Sequence, residues 1–207
     1  MNGQDVLQII RQSAPPEFEK AVLACSVGFN LDDEIAASAI QLVVGNPEFN
    51  IRHAIETMKE TSFTDYNDNG IWRISPSATR RFLAMELHRA LPNFWLPLQQ
   101  LFADHCSRKS RELWPDQRWD FENESYDWNA VMARHFKEEE CYHLLMIPGR
   151  QQEAATILRQ MFETSSCPSE VARVICLYIE DCQAHTGQIH PSVAELLSAA
   201  NSLHLEA

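Results

Sequence analysis

The feature that most constrains this chain is the spacing of its apolar residues. They recur three and four apart in stretch after stretch, which places them on one face of a helix. Phe18, Ala21, Val22 and Cys25 form the first stripe, opened by Pro15-Pro16. Leu31, Ile35, Ala39, Leu42 and Val43 form the second. Asn30 is expected to cap it, with Asp32, Asp33 and Glu34 against the positive end of the helix dipole. Gly45-Asn46-Pro47 ends it. Asn50 is placed to cap a third helix carrying Ile51, Ala54, Ile55 and Met58. Over residues 62–74 the period changes. Phe63, Tyr66, Ile71, Trp72 and Ile74 surround Asn69-Gly70, and this pair supplies the positive φ of a tight hairpin turn. Ser75-Pro76 then reads as the N-cap and first residue of a helix through Ala90.

The remainder is again helical. Pro92 and Pro97 bracket the opening of a helix with Leu98, Leu101, Phe102 and His105, ending near Trp114-Pro115. His105, on an apolar stripe, is expected to be a core histidine. Residues 115–127 form the best linker candidate. Later stripes are Trp128, Val131, Met132 and Phe136; Ala154, Ile157, Leu158, Met161 and Phe162; Val171, Val174, Ile175, Tyr178 and Cys182; and Val193, Leu196, Leu197 and Ala200. Connections this short favour antiparallel helix pairs, and no strict repeat period is present. The expected fold class is mainly α. Three helices followed by a hairpin is the order of a winged helix, assigned to residues 1–92, and residues 93–207 make a helical bundle.

Composition excludes several classes. The chain has 207 residues, 45% hydrophobic and 22% charged, which is ordinary for a globular protein. No segment approaches the roughly 18 uncharged apolar residues of a membrane span. Residues 1–12 lack a basic start followed by an apolar stretch, so no secretory signal is expected. Cys25, Cys106, Cys141, Cys167, Cys176 and Cys182 are scattered singly, as buried thiols in a reducing cytoplasm would be. The net charge of −12 is uneven: −7 over residues 1–70, +4 over 71–114 and −9 over 115–207. Such a chain repels phosphate backbones at long range, so a nucleic-acid role would fall to its middle third.

Three local matches give the chain a family resemblance. Residues 17–30 (EFEKAVLACSVGFN), residues 70–82 (GIWRISPSATRRF), and Tyr142-His143-Leu144-Leu145 with Gly149-Arg150, Glu153-Ala154-Ala155 and Ile157-Leu158 occur in that order. This order resembles the winged-helix domain and the following tetratricopeptide-like helical arm of the signal-transduction NTPases with numerous domains, the NB-ARC type included. The resemblance spans about residues 17–160 and implies a regulatory or adaptor role in a bacterial-type signalling or defence assembly. Its NTPase domain is missing, since no GxxxxGK[ST] occurs. The histidine that senses the nucleotide's phosphate in that family falls on Ser75, so nucleotide sensing is not carried over.

No catalytic, cofactor or metal site is expected from spacing. Cys182, His185 and His190, or Cys141 with His143, lack the fourth ligand of a tetrahedral zinc site. None of the cysteines lies in a Gly-flanked strand-to-helix turn, and with six glycines the tight turns of oxyanion sites are scarce. Glu138, Glu139 and Glu140 are consecutive on a helix, where neighbours point about 100° apart and cannot converge on one ion. A solvated face is expected there.

Two binding readings remain. A winged helix reads DNA with its third helix, here residues 50–61, which sets Arg52, His53 and Lys59 against Glu56 and Glu60. The wing adds Asp65 and Asp68. That balance disfavours phosphate contact, so a DNA-binding transcriptional regulator is the alternative. The favoured reading is a non-enzymatic module that binds another protein (an effector, protease or NTPase). Its candidate partner-binding residues are Arg73, Arg80, Arg81 and Arg89, with Trp72 and Trp95 as aromatic anchors of the kind enriched at binding hot spots. Of Trp72, Trp95, Trp114, Trp119 and Trp128, at least three are expected in the core.

Overall fold

A computed structural model describes residues 2–66, 70–115, 128–164, 176, 178–179, 181–182 and 191–204. The protein is mainly helical, with a small two-stranded antiparallel sheet. None of its described helices is long and apolar enough to cross a membrane. The expected linker, after Pro115, lies outside the described residues. So do Asp68, Trp119, Cys167, His185, His190 and the stripe Val171, Val174 and Ile175. The chain divides into two compact units, Met1–Leu101 and Phe102–Ala207. The division falls inside a helix, whereas the sequence reading ends the first domain at residue 92.

The first unit opens with a helix absent from the sequence reading, α1 (Gly3–Ser13). Asn2 caps it, its side chain accepting from the Asp5 amide at 2.9 Å. Val6, Leu7 and Ile10 are its buried face. α2 (Pro16–Cys25) follows; its first half is exposed or half-buried, whereas Ala21 through Cys25 are all buried, so its second half is enclosed on every side rather than along one stripe. α1, α3 (Asp33–Val44) and α5 (Ser77–Ala90) all pack on it. The α3 cap is Asp32, accepting from the Ile35 amide at 2.9 Å, and not the expected Asn30. The chain at Leu31 is diverted by a two-way backbone bridge to Trp72, at 2.8 Å in each direction, so the helix starts after it. Gly45 ends α3 at φ 64°, the left-handed position that favours glycine. Leu42, expected in the core, is exposed. α4 (Ile51–Lys59) is capped as expected by Asn50, which accepts from the His53 amide at 3.0 Å.

The strands β1 (Thr64–Tyr66) and β2 (Trp72–Ile74) pair with Thr64 opposite Ile74, Asp65 opposite Arg73 and Tyr66 opposite Trp72. Asp33 ties this sheet to the helices. Its carboxylate accepts from Trp72 Nε1 at 3.3 Å and from Lys59 Nζ at 2.5 Å. α5 begins after Pro76, one step later than expected, with no side-chain cap. α6 (Pro92–Leu113) starts at Pro92 and runs on through Pro97, the two prolines expected to bracket its opening. The carbonyl that Pro97 deprives of a donor belongs to Asn93, an exposed residue, so the proline is tolerated.

The second unit takes the rest of α6, α7 (Trp128–Met146), α8 (Gln151–Thr164) and α9 (Pro191–His204). α8 packs on α7 across the 147–150 turn, and α9 packs on α8. An Arg159–Glu195 ion pair at 3.8 Å and a Ser192–Gln152 hydrogen bond link α8 and α9. Glu138 through Met146 are buried without interruption. This corrects the solvated face expected at Glu138, Glu139 and Glu140.

Candidate functional site

The six candidate partner-binding residues divide in half. Arg73, Arg81 and Arg89 are exposed. Trp72, Arg80 and Trp95 are buried, at 1%, 3% and 4% exposure, and so do not form the partner-facing surface expected of them. The physical reason differs for each. Trp72 is buried on β2, its indole N–H donating to the Asp33 carboxylate on α3. Trp95 stacks on His88, with ring centroids 4.6 Å apart. Arg80 reaches the C-terminal end of α2, where Nη1 donates to the Ser26 carbonyl at 3.2 Å and the Val27 carbonyl at 3.5 Å. Its guanidinium lies 3.7 Å from the Phe29 ring centroid. A cation there answers the negative end of the helix dipole. Trp114 is half-buried and Trp128 exposed, so two of the four described tryptophans are core.

Three of the exposed cations near the sheet and on α4 and α5 sit beside acids. Arg73 lies 3.5 Å from Asp65, Arg52 lies 3.7 Å from Glu56, and Arg89 lies 2.6 Å from Glu86. That last contact holds the Glu86 carboxyl below its ordinary range, by hydrogen bonding against a weaker opposing effect of burial.

A groove of about 560 Å³ opens between the start of α2 and α4. Pro15, Phe18, Phe49, His53, Ala54 and Thr57 line it, with Glu17 and Glu48 also at its wall. Both phenylalanines are half-buried. Phe18 belongs to a stripe expected in the core, and Phe49 lies in none of the expected stripes. Its signal was an aromatic residue inside the turn between Pro47 and Asn50.

The second unit holds a cluster that spacing did not reveal. Cys106 on α6 and Glu139 and His143 on α7 are each wholly buried, at 0% exposure. One ligand atom from each, thiol sulfur, carboxylate oxygen and imidazole nitrogen, lies within 4.8 Å of the other two. His143 Nε2 is 3.5 Å from Glu139 Oε1. The His143 ring stacks on Phe102 at 5.2 Å and meets the edge of Tyr142 at 5.2 Å, so its orientation is set by packing. Tyr142 in turn donates to Asp181 at 3.3 Å. Neighbouring carboxylates find other partners: Glu138 lies 3.6 Å from Arg134, and Glu140 accepts from Lys137 at 2.8 Å. The three glutamates therefore point to three different sites, as helix geometry requires. Cys141, set aside above as a zinc ligand with His143, has a thiol pushed well above its ordinary value by burial first and by Glu140 second. His105 is buried as expected, 3.1 Å from Arg108 Nη2 and edge-on to Phe136.

A signal for the cluster was present in part. Glu139 and His143 are four apart on one helix, a spacing that places both on one face. Cys106 comes from another helix, and nothing local marks it. Compared with known proteins, the chain matches no family model, no curated protein and no solved structure.

Proposed function

We propose that this chain is a non-catalytic regulatory or adaptor module that binds a protein partner through the groove between α2 and α4. The groove carries the reading: it is open, walled by two aromatic rings, and edged by Glu17 and Glu48. Its complement is a partner segment with one bulky apolar side chain flanked by lysine or arginine, because opposite charges steer and orient such an encounter. The order α2, α3, α4, β1, β2 supports a winged-helix arrangement of the first unit. The pairing of α7 with α8 and of α8 with α9 supports a tetratricopeptide-like arrangement of the second. With the motif resemblance, these support a role in a signalling or defence assembly whose partner is an effector, protease or NTPase.

The rival, a DNA-binding transcriptional regulator, needs cations free to meet phosphates. On α4 Arg52 lies beside Glu56 and Lys59 is bound to Asp33. The buried Cys106, Glu139 and His143 give no exposed surface to a substrate, which supports the non-catalytic reading. The test is affinity capture from the native source with the full chain and with a Phe49→Asp, Glu48→Lys variant. The expected result is a partner retained by the first and lost by the second, with both chains equally helical. A partner retained equally by both, or tight sequence-dependent binding of duplex DNA in a low-salt gel shift, would overturn the reading.

A further inference from the structure

We propose that Cys106, Glu139 and His143 form a binding site for one zinc-type transition-metal ion inside the second unit. The donor set is the first reason. A thiolate, an imidazole and a carboxylate are the three donors that proteins offer zinc, and three of them leave one place of a tetrahedral ion for a further group. The placement is the second. With Zn–S near 2.3 Å and Zn–N or Zn–O near 2.0–2.1 Å, ligand atoms around a tetrahedral ion sit roughly 3.3–3.6 Å apart. His143 Nε2 and Glu139 Oε1 are already 3.5 Å apart. The outermost separation in the cluster, at most 4.8 Å, closes to that value by a shift of roughly one ångström.

The surroundings are the third reason. All three side chains are wholly buried, and Phe102 and Tyr142 hold the imidazole plane. A divalent ion keeps the carboxylate ionised and the thiol deprotonated in the core, supplying the solvation that water gives elsewhere. Because Cys106 is on α6 and the other two are on α7, the ion fastens one helix to the other. With all three donors buried, its role is to fasten the helices, its fourth place being taken by a water or a further donor. This departs from the expectation of no metal site, which rested on spacing along the chain and could not see a ligand brought in by packing.

The experiment uses the full chain with zinc or cobalt(II) as probe. One equivalent of zinc per chain is expected after dialysis, and cobalt(II) exchange should bring a near-ultraviolet thiolate-to-metal charge-transfer band. X-ray absorption of the zinc-loaded wild type should show one sulfur near 2.3 Å and nitrogen or oxygen donors near 2.0–2.1 Å. Cys106→Ser and His143→Gln should each weaken zinc binding by roughly a hundredfold or more, and Cys25→Ala, in the other unit, should leave it unchanged. Folded wild type that takes up no zinc, a metal shell without sulfur, or a cobalt band that survives Cys106→Ser would overturn the proposal. If the Cys106 and His143 variants do not fold, the wild-type absorption spectrum decides alone.

Discussion

Arg80 and Arg81 are adjacent, identical in chemistry, and opposite in role. Arg81 points to solvent, while the Arg80 guanidinium closes the end of α2 against two carbonyls and an aromatic ring. Arg80→Ala leaves buried carbonyls without their charged donor, so it should cost about 2 kcal/mol in urea unfolding. Arg81→Ala should change stability by less than about 0.5 kcal/mol. Equal effects would show that Arg80 is not the cap described above. Cys25 gives a pH dependence at the same scale. Burial raises its thiol pKa in the folded chain. A group raised on folding contributes its full stabilisation below the unfolded value, near 8.5 for a thiol, and loses it as the pH climbs past that value. The urea midpoint should therefore fall above about pH 8.5, and Cys25→Ala should remove part of that fall.

At the level of elements, the sequence was legible wherever the signal is local. Asn50 and Gly45 do what their types and positions dictate, and the two strands fall where the period changes. It was less legible where packing overrides the local rule. Asn30 was as good a cap as Asp32 until the Leu31–Trp72 bridge moved the helix start. The glutamates of α7 read as a wet face because burial of charge depends on partners, here Arg134, Lys137 and His143, that no pattern announces. The groove went unseen because half-burial has no sequence signature. α1, outside the expected helices, carries a local signal in Asn2 and its Val6, Leu7, Ile10 stripe. Its docking depends on Gly3, where a Cβ would lie 2.6 Å from Phe82 Cβ on α5. Gly3→Ala should cost about 1–3 kcal/mol through that overlap. Hydrogen exchange should speed up in α1 more than in α3, and an unchanged α1 would mean the two helices do not meet there. A companion change, Lys137→Met, leaves the buried Glu140 carboxylate without its 2.8 Å donor. It should cost about 2–3 kcal/mol, the upper range for a charged hydrogen bond.

For the whole molecule, the motif resemblance invites an expectation of ATPase activity, and the physics opposes it. Phosphate binding needs a cradle of backbone amides at a glycine-rich loop, with a lysine for the phosphates. The six glycines are isolated from one another along the chain. No ATP hydrolysis and no rise in Tm with millimolar ATP or ADP are expected, and a shift of several degrees would contradict this. Circular dichroism should report well over a third helix, the share of an average globular protein. The enclosure of one segment in each of two helices has a consequence for mutational tolerance. Along α3, α4 and α5, where one face meets solvent, the fraction of accepted substitutions should rise and fall every three to four positions. From Ala21 to Cys25 and from Glu138 to Met146 every direction meets protein. Tolerance there should be flat and low, polar positions included. A saturation scan read out by abundance would then draw two plateaus in an otherwise oscillating profile, one in each unit.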